Sequence, residues 1–118
     1  MAVFQEFTYP SSDGRHTCWA GQWLPDEGRP RAVVQIVHGV AEYAGRYDAF
    51  ARFLAGYGFA VCGEDHLGHG KTVTDGAYGY FGEKNGWWTV MEDIRQLRQR
   101  MGEQFPGVPY FLLGHSMG

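Results

Sequence analysis

Apolar residues recur along the first third of the chain with the alternation that is typical of β-strands. The segment 2–9 is rich in Val, Phe, Thr and Tyr, and the segment 16–24 places Trp19, Gly21 and Trp23 on one face by alternation. The turn-forming run Pro10–Gly14 separates the two segments. Together they predict a β-hairpin. The nearly continuous apolar run 32–37 predicts a strand that is covered on both faces, as in a parallel sheet.

The later apolar pattern alternates between helices and strands. Helices are predicted over about 44–57 and about 87–105, because apolar residues recur there every three or four positions. The buried stripe of the first is expected to contain Tyr47, Phe50, Ala51, Leu54 and Tyr57. The buried stripe of the second is expected to contain Val90, Ile94, Leu97, Met101 and Phe105. Buried strands are predicted at 59–62 and 108–113.

The resulting order of elements is β-β-β-α-β-α-β. Strands that alternate with helices predict an α/β fold, with a mostly parallel sheet and helices on both faces. The opening hairpin is expected to add an antiparallel edge to that sheet.

Composition and charge narrow the class of protein. The chain has 118 residues, of which 44% are hydrophobic and 16% aromatic, as expected for a packed core in one domain. The net charge is -3 without a block of like charge, which argues against nucleic acid as a partner, because a nucleic-acid-binding surface needs a basic stripe. The N-terminus lacks the features of a signal peptide and no apolar run has membrane-spanning length, so a cytoplasmic location is expected.

The two cysteines, Cys18 and Cys62, both lie in apolar, strand-like runs. Their spacing matches neither a metal-binding nor a redox motif. We expect two small buried side chains, with a disulfide as the alternative.

The segment Gly114–Gly118 fits the pattern G-x-S-x-G and directly follows an apolar run. In this pattern the serine lies on a sharp turn between a strand and a helix, where a histidine can take its proton. The pattern predicts Ser116 as a nucleophile, with Gly114, His115 and Gly118 shaping the turn. A serine in a glycine-rich turn is the competing interpretation, because the pattern alone is weak.

An acyl-transfer serine also needs N–H donors for the oxyanion. One is the backbone N–H of the residue after the nucleophile, here Met117. The second is expected from the loop after the third strand, where His38 and Gly39 precede Val40. A tight turn with a satisfied histidine is the competing interpretation of His38. The occurrence of this loop and the elbow in the correct order favours a hydrolase.

Two further patterns give weaker hypotheses. His66 and His69 are three positions apart in a glycine-rich loop, which leaves a metal-dependent hydrolase as an alternative. No further cysteine or histidine cluster accompanies them, so no metal or other cofactor is expected. Gly70-Lys71-Thr72 is similar to the end of a phosphate-binding loop, but Asp65 occupies the position of that motif's first glycine.

Three blocks, 37–47, 65–72 and 106–118, resemble the N-terminal half of α/β-hydrolases of the monoacylglycerol lipase and lysophospholipase kind, in particular bacterial members. The resemblance implies Ser116 as the nucleophile and Val40 and Met117 as oxyanion donors. It implies that Asp65 begins a loop that buttresses the elbow. It also implies cleavage of carboxylic esters, with a small-molecule substrate such as a monoacylglycerol or a lysophospholipid. Cleavage of small peptides by an aminopeptidase is the alternative within this fold.

In this family the catalytic acid, the histidine and the lid follow the elbow, and no residue of these 118 corresponds to them. The resemblance therefore implies that 1–118 is the N-terminal part of a single α/β-hydrolase domain and is inactive alone. The C-terminal part is expected in a longer parent or in a separate chain. A non-catalytic fragment or binding module that keeps the elbow is the alternative. Residues 110–113 are expected to form an exposed apolar edge, so that the chain would not fold alone into a stable monomer.

Overall fold

The computed structural model describes residues 2–12, 14, 16–26, 28–38, 44–65 and 86–114. In that part of the chain, strands and helices alternate in the order that the apolar pattern predicts. The strands are β1 (Ala2–Pro10), β2 (Thr17–Pro25), β3 (Val33–Val37), β4 (Ala60–Glu64) and β5 (Tyr110–Gly114). The helices are α1 (Asp48–Gly56), which a 3₁₀ helix (Ala44–Tyr47) precedes, and α2 (Gly86–Gln104).

The strands form one mixed sheet in the order β1-β2-β4-β3-β5. β1 and β2 form the expected antiparallel hairpin, and β2 also pairs antiparallel with β4. β3 pairs in parallel with β4 on one side and with β5 on the other. The expected α/β fold with an antiparallel N-terminal hairpin is therefore confirmed.

The two helices lie on opposite faces of the sheet. The connection through α1 leads from β3 to β4, and the connection through α2 leads back across β3 to β5. Because parallel crossovers share one hand, connections that run in opposite directions place their helices on opposite faces. The face covered by α1 buries Trp23, Ile36, Ala51, Ala55 and Val61. The face covered by α2 buries Tyr9, Cys18, Ala20, Val33, Ala60, Cys62, Leu97 and Met101.

The predicted stripe of the first helix is wrong in two positions. Phe50 and Tyr57 are exposed, at 42% and 61% of their surfaces, whereas Ala51 and Ala55 are buried. The small side chains of Ala51 and Ala55 let α1 lie close against the sheet, and Phe50 and Tyr57 stay exposed. The first turn, Ala44–Tyr47, is also a 3₁₀ helix rather than part of the α-helix.

The predicted stripe of α2 agrees with the structure. Val90, Leu97 and Met101 are buried, Phe105 packs against the same core, and Ile94 is half-buried. The buried face of α2 also contains a residue that was not predicted there, since Asp93 is fully buried.

None of the helices in the described ranges is long and apolar enough to cross a membrane.

The Asp93 side chain joins α2 to the turn of the β1–β2 hairpin. Its carboxylate accepts hydrogen bonds from the Ser11 hydroxyl and from the Ser12 backbone N–H, both at 2.7 Å. The Tyr9 hydroxyl donates to the backbone carbonyl of Asp93 at 2.9 Å. The bonds from Ser11 and Ser12 provide donors for both carboxylate oxygens, as a buried polar group requires.

The cysteines are free and fully buried, as expected. Burial raises the pKa of Cys62 to about 12. Burial, followed by the negative charge of Asp93, also raises the pKa of the Cys18 thiol above its usual value. Both thiols are therefore protonated near neutral pH, and neither is a nucleophile, because the reactive form is the thiolate.

The first residue of α1, Asp48, accepts a hydrogen bond from a buried side chain of the core on the α1 face. The indole N–H of the buried Trp23 donates to its carboxylate at 2.8 Å, and Arg52 pairs with it at 3.0 Å. The hydrogen bond from Trp23, followed by that from Arg52, lowers the pKa of Asp48. The folded state therefore favours the ionised carboxylate.

A titration of Asp48 tests this arrangement. A depressed pKa contributes stability above the ordinary aspartate value of about 4, and that contribution is lost as the pH falls through the folded pKa. We expect the NMR titration midpoint of the Asp48 carboxyl to lie below the ordinary value and to rise in Trp23→Phe, which keeps a ring but loses the donor. Arg52→Gln should raise the midpoint less. An unchanged midpoint in Trp23→Phe would contradict the assigned cause.

Candidate active site

The carboxyl ends of the three parallel strands meet at one edge of the sheet. Val37, the last residue of β3, pairs in register with Gly114, the last residue of β5. β4 ends beside them at Glu64. The chain leaves β3 toward α1 and β4 toward α2, which lie on opposite faces. In open α/β sheets, ligands bind outside the carboxyl ends of strands whose connections diverge in this way.

The structure places three of the predicted site residues at this edge. His38 directly follows β3, Asp65 directly follows β4, and Gly114 closes β5. The other predicted site residues, Gly39, Val40, His115, Ser116, Met117 and Gly118, lie outside the described residues. The same holds for His66 and His69 of the metal hypothesis. The nucleophile and the two oxyanion donors thus stay predictions.

The His38 side chain is completely buried. It directly follows β3, in which Val33, Ile36 and Val37 are also buried. The protein interior therefore extends to the carboxyl end of this strand. An imidazole in this position is part of the protein interior and not a solvent-facing group. The chain therefore leaves β3 from a packed position.

Asp65 connects three elements at this edge. It is 1% exposed, and its carboxylate oxygen Oδ1 accepts a hydrogen bond from the Ala44 backbone N–H at 2.7 Å. Its own backbone N–H donates to the Trp19 carbonyl at 2.9 Å. Asp65 therefore links β4 to β2 and to the start of the 3₁₀ helix. The elbow residues that it was expected to buttress lie outside the described residues, so that expectation stays a prediction.

Gly63 brings the 3₁₀ helix close to the sheet. A Cβ atom at this position would lie 3.2 Å from the Ile36 carbonyl oxygen and 3.3 Å from the Ala44 Cβ. Both distances are tighter than ordinary contacts, so a side chain here would require β3 or the 3₁₀ helix to shift. Sequence reasoning missed this role. The available signal was the glycine directly after the predicted strand 59–62. The structure extends that strand to Glu64, and a glycine within a strand often marks a close backbone approach.

A second buried carboxylate, Glu64, lies next to Asp65 and is 1% exposed. Its neighbours Cys62 and Ala60 face the α2 side of the sheet, and the alternation of side chains along a strand places Glu64 on that side too. Burial, followed by the charge of Glu64, raises the pKa of the Tyr9 hydroxyl. That hydroxyl therefore stays protonated and keeps its hydrogen bond to α2.

The last described strand, β5, carries a large apolar surface. Phe111, Leu112 and Leu113 are 58%, 61% and 41% exposed, respectively. In the described part of the chain, β5 pairs with β3 on one side. The inner residue Tyr110 is better covered: its hydroxyl donates to the buried Gln35 amide oxygen at 2.5 Å. This bond fixes the beginning of the strand that leads to Gly114.

Comparisons with known proteins agree with this architecture. A family model described as "Serine aminopeptidase, S33" matches residues 28–118. Human monoglyceride lipase is 35% identical over 111 residues, which are 92% of this chain and 33% of that protein. The monoacylglycerol lipase of Mycolicibacterium smegmatis is 38% identical over 96 residues, which are 81% of this chain and 32% of that protein.

Solved structures show the same fold. A thermostable carboxyl esterase from Bacillus coagulans, crystallised in complex with glycerol, superposes with a TM-score of 0.88 at 42% identity. The match covers 98% of this chain and 37% of that chain. The chain spans about a third of the length of the curated relatives it matches.

Proposed function

Because the chain belongs to the α/β-hydrolase family whose model is described as serine aminopeptidase, S33, we propose that it is the N-terminal part of a serine hydrolase that cleaves carboxylic esters. One observation carries the proposal: Val37 and Gly114 are paired at the carboxyl edge of the sheet. The loop that begins at His38 and the elbow sequence that begins at Gly114 therefore start side by side. An oxyanion donor and a nucleophile need this proximity.

The proposed reaction proceeds through an acyl-enzyme. The Ser116 oxygen attacks the acyl carbon of the ester while a histidine C-terminal to the elbow accepts the serine proton. The negative charge on the carbonyl oxygen is stabilised by the backbone N–H groups of Val40 and Met117, each worth roughly 3–4 kcal/mol. The histidine then protonates the leaving alcohol. Water, deprotonated by the same histidine, hydrolyses the acyl-enzyme and releases the fatty acid.

The remaining site residues have supporting roles in this proposal. Gly114 and Gly118 let the backbone turn sharply around the serine, and His115 occupies the position between Gly114 and the nucleophile. His38 and Gly39 begin the loop that presents the first oxyanion donor. The reaction needs no metal or other cofactor. Its partner is the C-terminal part, in the same polypeptide or in a separate chain, which supplies the catalytic acid, the histidine and the lid. We call the complete assembly the parent enzyme.

Monoacylglycerol is the proposed substrate. Two similar proteins are named as lipases for this substrate, and the similar esterase structure contains glycerol, which is the alcohol that such a substrate releases. A lysophospholipid differs by a charged headgroup and is the second ester that we propose to test. The description of the matching family model favours one alternative from another reaction class, the removal of N-terminal residues from small peptides.

A substrate panel distinguishes these activities in the parent enzyme. We expect kcat/KM for a monoacylglycerol to exceed that for a lysophospholipid and for an aminoacyl anilide by at least about tenfold. EDTA should leave the rate unchanged, whereas a rate lost with EDTA would favour the His66 and His69 metal hypothesis. Residues 1–118 alone should show no turnover. Faster cleavage of the anilide than of either ester would refute the esterase proposal.

A further inference from the structure

The loop between β3 and the 3₁₀ helix is anchored at both of its described ends. Its first end follows Val37, which pairs with Gly114, and His38 is completely buried there. Its second end is Ala44, which is 1% exposed and donates its backbone N–H to Asp65 Oδ1 at 2.7 Å. Residues 39–43 lie between these two ends. The two described ends of this loop, His38 and Ala44, are therefore both held in the protein interior.

Asp65 is itself held firmly enough to act as an anchor. Its backbone N–H is bonded to the Trp19 carbonyl on β2, and it directly follows the buried strand β4. A carboxylate that accepts a backbone N–H forms a short, charge-assisted hydrogen bond. The acceptor also lies at the start of the 3₁₀ helix Ala44–Tyr47, where the first backbone N–H groups lack partners within the helix.

Gly63 sets the distance of this anchor from the sheet. Because it has no side chain, Ala44 can approach to a distance at which an added Cβ atom would be only 3.3 Å from the Ala44 Cβ. Asp65 then supplies the bond that holds Ala44 there. Gly63 and Asp65 therefore both fix the position of Ala44: Gly63 permits its close approach to the sheet, and Asp65 accepts its backbone N–H.

We propose that Asp65 is a positioning residue for the oxyanion donor Val40. This inference rests on the proposed function, since it assigns a purpose to the loop that begins at His38. The Asp65 carboxylate holds Ala44 and so fixes the end of the loop that presents the Val40 N–H. An oxyanion donor must lie within about 2.7–3.1 Å of the developing charge, and a shift of about 1 Å can cost about a hundredfold in rate.

Kinetics of two Asp65 variants in the parent enzyme test the proposal. We expect Asp65→Ala to lower kcat on a monoacylglycerol by about 10- to 100-fold, with KM changed by less than about threefold. Asp65→Asn should retain kcat within about threefold of the unmodified protein, because its amide oxygen can still accept the Ala44 N–H. The matched control is Glu103→Ala, an exposed acidic residue near the end of α2, which should leave both constants unchanged.

Hydrogen exchange at the Ala44 N–H gives a readout that does not depend on activity. Asp65→Ala should speed this exchange by at least about tenfold, and Asp65→Asn should leave it slow. Faster exchange with an unchanged kcat would overturn the proposal. If Asp65→Ala does not fold, Asp65→Asn decides: slow exchange with near-normal kcat supports the proposal, and slow exchange with a tenfold lower kcat refutes it. A parent enzyme without esterase activity would refute the proposed function, while the exchange rates would still test the anchor.

Discussion

Replacing Ser116 by alanine in the parent enzyme is expected to lower kcat on a monoacylglycerol by about ten-thousandfold or more, with little change in KM. In the proposed mechanism, the substitution removes the atom that forms the acyl-enzyme but leaves the proposed oxyanion donors, Val40 and Met117, unchanged. Loss of a nucleophile from a catalytic triad has an effect of this size, because its members act as a unit. Steady-state kinetics with a monoacylglycerol measures it directly.

The matched control is Ser12→Ala, at the exposed turn of the β1–β2 hairpin. The Ser12 hydroxyl bonds to the Thr89 carbonyl, and the bond from the Ser12 backbone N–H to Asp93 is kept in alanine. We expect kcat within about twofold of the unmodified protein, since surface substitutions of this kind have small effects. A Ser116→Ala protein that keeps its kcat would show that this serine is not the nucleophile.

Replacing Asp93 by alanine is expected to lower the free energy of unfolding by about 2–4 kcal/mol. The substitution leaves the Ser11 hydroxyl and the Ser12 N–H without the acceptor that each contacts at 2.7 Å. It also detaches α2 from the turn of the β1–β2 hairpin. Urea unfolding of the parent enzyme, followed by circular dichroism, measures the change.

Glu92→Ala is the matched control for this prediction. Glu92 precedes Asp93 on α2 and pairs with Arg95 at 2.7 Å, in a salt bridge whose two side chains are 42% and 67% exposed. An exposed pair of this kind contributes less than about 1 kcal/mol. If Asp93→Ala and Glu92→Ala cost the same, the buried carboxylate would not be the link between helix and hairpin.

The sequence predicts the β1–β2 hairpin and α2 well, since their patterns are strong and local. Val90, Leu97 and Met101 are large apolar residues at helical spacing, and the structure buries all three. Asp93 lies three positions after Val90 and four before Leu97, so its place on the buried stripe could have been deduced. It was missed because a charged residue is normally assigned to the solvent face.

The errors in α1 arise from packing that the periodicity does not contain. Phe50 and Tyr57 fit the apolar stripe, but the sheet accepts the smaller Ala51 and Ala55 at the contact. A moderately apolar short helix can rotate to the face that packs more closely, and the sequence does not show the shape of the opposing sheet. Tertiary packing therefore decides which apolar residues of such a helix are buried.

Some features of the candidate site depend on local sequence, and others depend on contacts between residues that are distant in the chain. The elbow pattern around Ser116 and the strand-end sequence at His38 are local and can be recognised directly. The bond between Asp65 and Ala44 joins residues 21 positions apart, and it forms because β3 and β4 end at the same edge. A contact of this kind depends on the register of the sheet, which the sequence pattern does not specify.

The most direct test of the central claim, that Ser116 is a nucleophile activated by a histidine C-terminal to the elbow, is intact mass after reaction with a fluorophosphonate probe. We predict one adduct on the parent enzyme, located on Ser116 by peptide mapping and absent from Ser116→Ala. Residues 1–118 alone, with a mass of 13.3 kDa, should remain unmodified. A parent enzyme that stays unlabelled at Ser116, or an isolated chain that reacts at this serine, would contradict the claim.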